Sequence, residues 1–212
     1  MRLGRRGRPP YKLLSLLLQY PNERLLEARA ELAGAVEELP ASYEKSCLER
    51  FCKHWLEAEA TNLQQDYVET FDLQRRSALY LSYYVYGDTR KRGMSLLQLN
   101  RMYRAAGLVK QDGELPDYLP LMLEFAEFAP AEYGRQVLVE YHPSLEMVRR
   151  SLRERGSPYV ELLDAICHGL PALNQFQQQD LVRLVAEGPP SEQVGLQPFA
   201  PPEVMPAMAP RR

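Results

Sequence analysis

Histidine and cysteine are scarce, three of each in 212 residues. His54, His142 and His168 stand apart. None has a second histidine or a cysteine at a ligand spacing, so no metal ligand is assigned and all three are expected to be surface or cap residues. Cys47 and Cys52 lie five positions apart, which on a helix turns them to different faces, and Cys167 is remote from both. That odd, scattered set argues against a disulfide framework and for buried thiols in a reducing compartment. A Gly-rich phosphate loop, a G-x-S-x-G elbow and a paired-carboxylate spacing are all missing, so no catalytic residue and no cofactor are assigned. A helical hydrolase or nucleotide-binding enzyme would have to work with scattered carboxylates and His142. Nothing approaches the length of a membrane span. The N-terminus MRLGRRGRPPYKLLSLLLQYP is basic and then apolar, as secretory leaders are. Its apolar run, however, is broken by Lys12, Ser15 and Gln19 and ends at Pro21 without a small-x-small cleavage site. The expectation is a disordered basic arm over residues 1–10, no stable membrane insertion, and a cytoplasmic location.

A net charge of −2 gives no overall bias toward nucleic acid. Arg75-Arg76 and Arg90-Lys91-Arg92 interleave with Glu69, Asp72 and Asp88, as solvated helix ends do, so nucleic acid is not expected as a partner. What is present is helical periodicity. Tyr11, Leu14, Leu17 and Leu18 make one stripe, stopped by Pro21. Asn22 can cap a second helix carrying Leu25, Leu32, Val36 and Leu39. Leu48, Phe51, Cys52, Trp55 and Leu56 form a third stripe, and Leu63, Tyr67 and Phe71 follow at i, i+4 and i+8. Ala78 to Tyr86 is apolar almost all round and reads as a covered central helix closed by Gly87. Leu96, Leu99, Tyr103 and Ala106 mark another helix, and Pro143 and Pro158 sit where helices start. No alternating strand pattern of useful length occurs. From Gly188 onward the chain holds seven of its 17 prolines, so 188–212 is expected to be an extended or disordered tail. The fold class expected is an all-α, single-domain helical bundle over 11–187.

Two stretches stand out. Tyr67 to Gly93, YVETFDLQRRSALYLSYYVYGDTRKRG, holds five of the 13 tyrosines. Asp112 to Tyr133, DGELPDYLPLMLEFAEFAPAEY, carries six acids and no lysine or arginine. Made helical after Pro116, it places Leu119, Met122, Leu123 and Ala126 on one face. The other face mixes Asp117 and Glu124 with Leu121, Phe125 and Phe128. An acidic, apolar face complements a cationic amphipathic peptide. The competing reading is a helix buried on two sides with its acids at the rim.

These same stretches, with YKLLSLLLQYP at the start and VGLQPFAPPE in the tail, resemble the NarJ-type assembly chaperones, the delta subunit family of respiratory nitrate reductase. The resemblance runs from about Tyr11 to Glu203. The wider class of redox-enzyme maturation chaperones carries an E-x-P-D-H motif, matched here by Glu114, Pro116 and Asp117, with Tyr118 in place of the histidine. The resemblance implies a non-enzymatic chaperone that binds the N-terminal leader of the nitrate reductase catalytic (alpha) subunit. It would hold that apoenzyme open for molybdenum cofactor insertion before membrane attachment, without joining the final enzyme. Pattern and resemblance together nominate a peptide groove. Tyr67 and Phe71 with Tyr80, Tyr83 and Tyr84 would form its wall, and Asp117, Tyr118 and Glu124 its acidic edge. Glu114, Pro116, Leu121 and Phe125 complete the candidate contacts. A helical scaffold without peptide specificity is the remaining alternative.

Overall fold

The computed structural model describes residues 9–108 and 113–190. Most of the expected arm and tail lies outside the described residues. The described part is all-helical, as the periodicity predicts. Tyr11–Leu17 (α1) ends before Pro21, and Asn22 caps Glu23–Glu27 (α2) by accepting a hydrogen bond from the Leu25 amide at 3.0 Å. The chain pauses at Ala28 and continues as Arg29–Glu37 (α3). Ser42 caps Tyr43–Glu57 (α4) through the Lys45 amide. Ala60–Tyr67 (α5) then runs without a break into a π-helical turn, Val68–Asp72.

The remaining helices are Leu81–Tyr86 (α6), Arg90–Ala105 (α7), Leu119–Phe128 (α8), Ala131–Glu140 (α9), His142–Glu154 (α10), Val160–His168 (α11) and Gln175–Glu187 (α12). Asn174 and Gln177 form a reciprocal capping box at the start of α12.

Helix α1 packs against α8 and α11, α4 against α11 and α3, and α10 against α11 and α12. The α1 stripe is sealed in this core, Tyr11, Leu14, Leu17 and Leu18 each being at most 2% exposed. A fully buried leucine contributes about 1.5–3 kcal/mol relative to an exposed one, so this stripe is a main source of cohesion. Leu119, Met122, Leu123 and Ala126 are buried as their spacing predicts. Cys47, Cys52 and Cys167 are buried free thiols. Helix α9 lies directly on α8 at Gly134, where a Cβ would stand 2.7 Å from the Ala126 Cα. Among the described residues no helix is long and apolar enough to cross a membrane.

Four expectations need correction. The helix read over Ala78 to Tyr86 begins at Leu81. Its first residues are extended because the chain at 79–81 exchanges backbone hydrogen bonds with 117–119: Leu81 N to Asp117 O at 3.0 Å and Leu119 N to Leu79 O at 2.8 Å. This makes an isolated antiparallel bridge between Tyr80 and Tyr118. For the same reason α8 starts at Leu119 and not after Pro116. His142 is a buried residue, 3% exposed, and not a surface one. Packing also begins inside the segment expected to be a loose arm, since Pro9 is buried and sits against Gly169.

Candidate functional site

The Tyr80–Tyr118 bridge forms one side of a pocket of about 200 Å³. The opposite side comes from the end of α5 and its π-helical turn, which supply Tyr67, Phe71 and Asp72. A π turn spends an extra residue per turn, and such turns are frequent at functional sites. Tyr20, in the loop after α1, closes the third side and meets Tyr67 edge-on, ring centroids 5.5 Å apart. Tyr159 lies edge-on to both Tyr67 and Phe71, at 6.0 and 4.8 Å between centroids.

A chain of hydroxyls fixes these rings. Tyr67 donates to the Leu18 carbonyl at 3.1 Å. Its single proton is thereby committed, so Tyr118, 3.1 Å away, donates to the Tyr67 oxygen. Tyr80 packs against Tyr118, with ring centroids 5.4 Å apart and planes tilted by 34°, and donates to Glu114 at 3.1 Å. Burial raises the pKa of Tyr67, Tyr80 and Tyr118 above the ordinary phenol value, and neighbouring acids and phenols add to the shift at Tyr80. All three therefore remain neutral hydroxyls at physiological pH. Desolvation also lifts the Asp72 carboxyl above its ordinary value. The pocket thus offers aromatic faces, neutral hydroxyls and two carboxylates at its edge. That combination suits binding of a cationic or amphipathic group by stacking, hydrogen bonding and charge.

Tyr67, Phe71, Tyr80, Glu114 and Tyr118 are brought together here; the other candidates are elsewhere. Tyr84 is 1% exposed and donates to the Ala78 carbonyl at 2.9 Å. Tyr83 is half-buried beneath the Arg92 guanidinium, which stands 5.8 Å from its ring centroid. The Pro116 carbonyl accepts from Tyr103 at 2.6 Å. Phe125, expected at the groove, is 2% exposed and faces Tyr103 at 4.5 Å between centroids, so it is core. Leu121 packs against the core from a half-buried position. Glu124 is partly exposed and pairs with Lys12 of α1. Three lining residues, Tyr20, Asp72 and Leu79, escaped the sequence reading; the tyrosine beside Pro21 and the acid next to Phe71 were the available signals.

Asp117 departs furthest from expectation. Its spacing places it on the outer face of a helix, at the acidic edge of a groove, yet it is 0% exposed. It precedes α8, and the backbone bridge turns its side chain toward the start of α6. There Oδ2 accepts from the Ser82 hydroxyl at 2.6 Å and the Ser82 amide at 3.2 Å, and Arg92 Nη2 approaches to 3.5 Å. Arg92 Nε also donates to the Ser82 hydroxyl at 3.2 Å. Asp117 therefore clasps α6 and α7 to the chain entering α8, and it holds both sides of the Tyr80–Tyr118 bridge.

Comparison with known proteins agrees with this architecture. Residues 30–165 match the family described as nitrate reductase delta subunit. The chain is 35% identical over 163 residues to the Bacillus subtilis protein named probable nitrate reductase molybdenum cofactor assembly chaperone NarJ, covering 76% of this chain and 87% of that one. It is 31% identical over 157 residues to the Escherichia coli K12 nitrate reductase molybdenum cofactor assembly chaperone NarJ, covering 73% of this chain and 66% of that one. It is 36% identical over 157 residues to the Mycobacterium tuberculosis nitrate reductase-like protein NarX, covering 74% of this chain but about a quarter (24%) of that longer relative. In three dimensions it resembles the crystal structure of an Archaeoglobus fulgidus protein described as a redox enzyme maturation protein, with a TM-score of 0.57 and 21% identity. That match covers 79% of this chain and 95% of that one, and it bears on the fold alone.

Proposed function

The chain belongs to the nitrate reductase delta subunit family, and on that premise we propose that it is an assembly chaperone for nitrate reductase. In this reading it binds the N-terminal leader of the catalytic subunit in the cytoplasm and keeps the apoenzyme open for molybdenum cofactor insertion before membrane attachment. The names of the Bacillus subtilis and Escherichia coli relatives support the assembly role.

The observation that carries the peptide-binding part is the convergence of Tyr67, Phe71, Tyr80, Glu114 and Tyr118 on one pocket. Its size, about 200 Å³, is below the usual range for a whole small-molecule ligand, roughly 300–1,000 Å³. It suits one side chain of a longer segment. A helical leader would lie across the surface and insert a single basic or aromatic residue, with Asp72 and Glu114 meeting its charge. The hydrogen-bond chain here consists of phenols that stay protonated, since Tyr118 takes the place of the family motif's histidine. Recognition should therefore vary little with pH near neutrality.

Calorimetric titration with a synthetic leader peptide tests this reading. Saturable heat with a negative heat-capacity change is expected from apolar burial. Glu114→Gln with Tyr80→Phe should weaken binding, with melting unchanged. Co-purification with the catalytic subunit should be lost when that subunit's leader is removed. An absence of saturable heat, or full retention by the leaderless subunit, would overturn the proposal.

A further inference from the structure

Outside the tyrosine pocket, three side chains of α10 and α11 meet that the chaperone reading does not use. His142 opens α10 and is 3% exposed, yet neither ring nitrogen has a hydrogen-bond partner. A buried imidazole with nothing on Nδ1 and only one loosely placed carboxylate near Nε2 is costly, and it calls for an explanation. One helical turn later Glu146 brings Oε1 to 3.4 Å from His142 Nε2. The other carboxylate oxygen, Oε2, is occupied by Arg149 at 2.9 Å from Nε and 2.8 Å from Nη2. Arg149 thus orients the carboxylate and leaves Oε1 turned to the imidazole. Helix α11 contributes Cys167, 6% exposed. One donor atom from each of the three residues lies within 4.8 Å of the others.

We propose that His142, Glu146 and Cys167 form a binding site for a zinc-type divalent cation. The donor set chooses the class of ion. Magnesium and calcium take oxygen ligands, whereas a mixed nitrogen, oxygen and sulfur set with a thiolate suits Zn²⁺ and its relatives. Around a tetrahedral zinc with bonds of about 2.0–2.3 Å, donor atoms stand roughly 3.3–3.8 Å apart, so closure needs side-chain shifts on the order of 1 Å. Binding releases the thiol proton to solvent and forms the zinc–sulfur bond. The thiolate and the Glu146 carboxylate then balance the two positive charges of the ion. Arg149 is itself held by Asp164 at 3.2 Å, a carboxylate it shares with Arg153 at 2.7 Å. Three protein ligands leave a fourth position for water or an external donor. The ion would pin α10 to α11.

Cobalt(II) titration of chelator-treated, full-length protein tests the site directly. The expected result is a one-to-one end point with a thiolate-to-cobalt charge-transfer band, displaced by zinc. Zinc competition against a chromogenic chelator should show about tenfold or greater weakening in Cys167→Ser and in His142→Gln, and zinc should raise the melting temperature of the wild type alone. Absence of the charge-transfer band in wild-type protein would overturn the proposal, whatever the variants do. So would an unchanged zinc affinity in folded Cys167→Ser. Peptide binding by the tyrosine pocket is a separate readout, and its failure would leave the metal result standing.

Discussion

Replacing Asp117 with alanine should unfold the clasp between α6, α7 and the entry to α8. The side chain is 0% exposed, and its Oδ2 serves the Ser82 amide, the Ser82 hydroxyl and Arg92. Removing one member of a buried ionic pair usually costs about 3–5 kcal/mol, because the partner is left uncompensated. Arg92 is 19% exposed and keeps Asp88 at 3.5 Å, which places the loss near the low end. About 3 kcal/mol is expected, and in a chain of this size each kcal/mol lowers the melting temperature by roughly 2–4 °C. Asp117→Ala should thus melt about 6–12 °C lower. Asp117→Asn keeps an acceptor for Ser82 and loses the charge, for about 1–2 kcal/mol. Urea unfolding followed by circular dichroism gives both values. A double-mutant cycle with Arg92→Met should return a coupling of at least about 0.5 kcal/mol. A solvated acid, the role its place in the sequence suggested, would cost under about 1 kcal/mol and show no coupling. If Asp117→Ala melts with the wild type, the clasp is not a structural device and this reasoning fails.

Phe125→Ala should lower stability by about 3–5 kcal/mol, since the ring is core against Tyr103; a folded, normally stable variant would refute that placement. Gly134→Ala should cost about 1–3 kcal/mol, because its Cβ would meet Ala126 backbone atoms at 2.7 and 2.8 Å; calorimetry of the variant checks it. For Glu44, desolvation works to raise the carboxyl pKa, but the hydrogen bond with His168 and local backbone bonds outweigh it and hold it below 4.5. A lowered folded pKa means stability that is present above the unfolded value and lost as pH falls through the folded one. The stability gap between wild type and Glu44→Gln should therefore be fully present above about pH 5 and close as pH falls below about 4; a gap independent of pH over that range would contradict the assignment.

The helices were legible because their stripes match their burial. The α1 stripe and the Leu119, Met122, Leu123, Ala126 face follow a single period, and each ended up sealed. The bridge at Tyr80 and Tyr118 was not legible, because a pair of backbone hydrogen bonds between segments nearly forty residues apart leaves no periodic trace. That one contact shortened α6, delayed α8 and turned Asp117 inward. The tyrosine-rich stretch announced an unusual concentration of aromatics. Which rings face the pocket depended on the bridge and on the π turn, and no pattern of 3.6 residues contains either. His142 and Glu146 do stand at a readable i, i+4 spacing. Their third neighbour, Cys167, comes from another helix and appears only after folding.

The π turn at Val68–Asp72 makes the pocket a matter of counting. An α-helix advances each residue by about 100° around its axis, so one residue more or fewer rotates everything downstream by that angle. Because Tyr67 lies before the wide turn and Phe71 and Asp72 lie within it, the extra residue sets the angle between them. Deleting Val68 would let the segment relax to ordinary α geometry with α5 unharmed. Tyr67 would keep its place, while Phe71 and Asp72 would swing to a new face. A single-codon deletion would dismantle one wall of the pocket and spare the helix that carries it, whereas substitutions along the same turn would leave the angle intact.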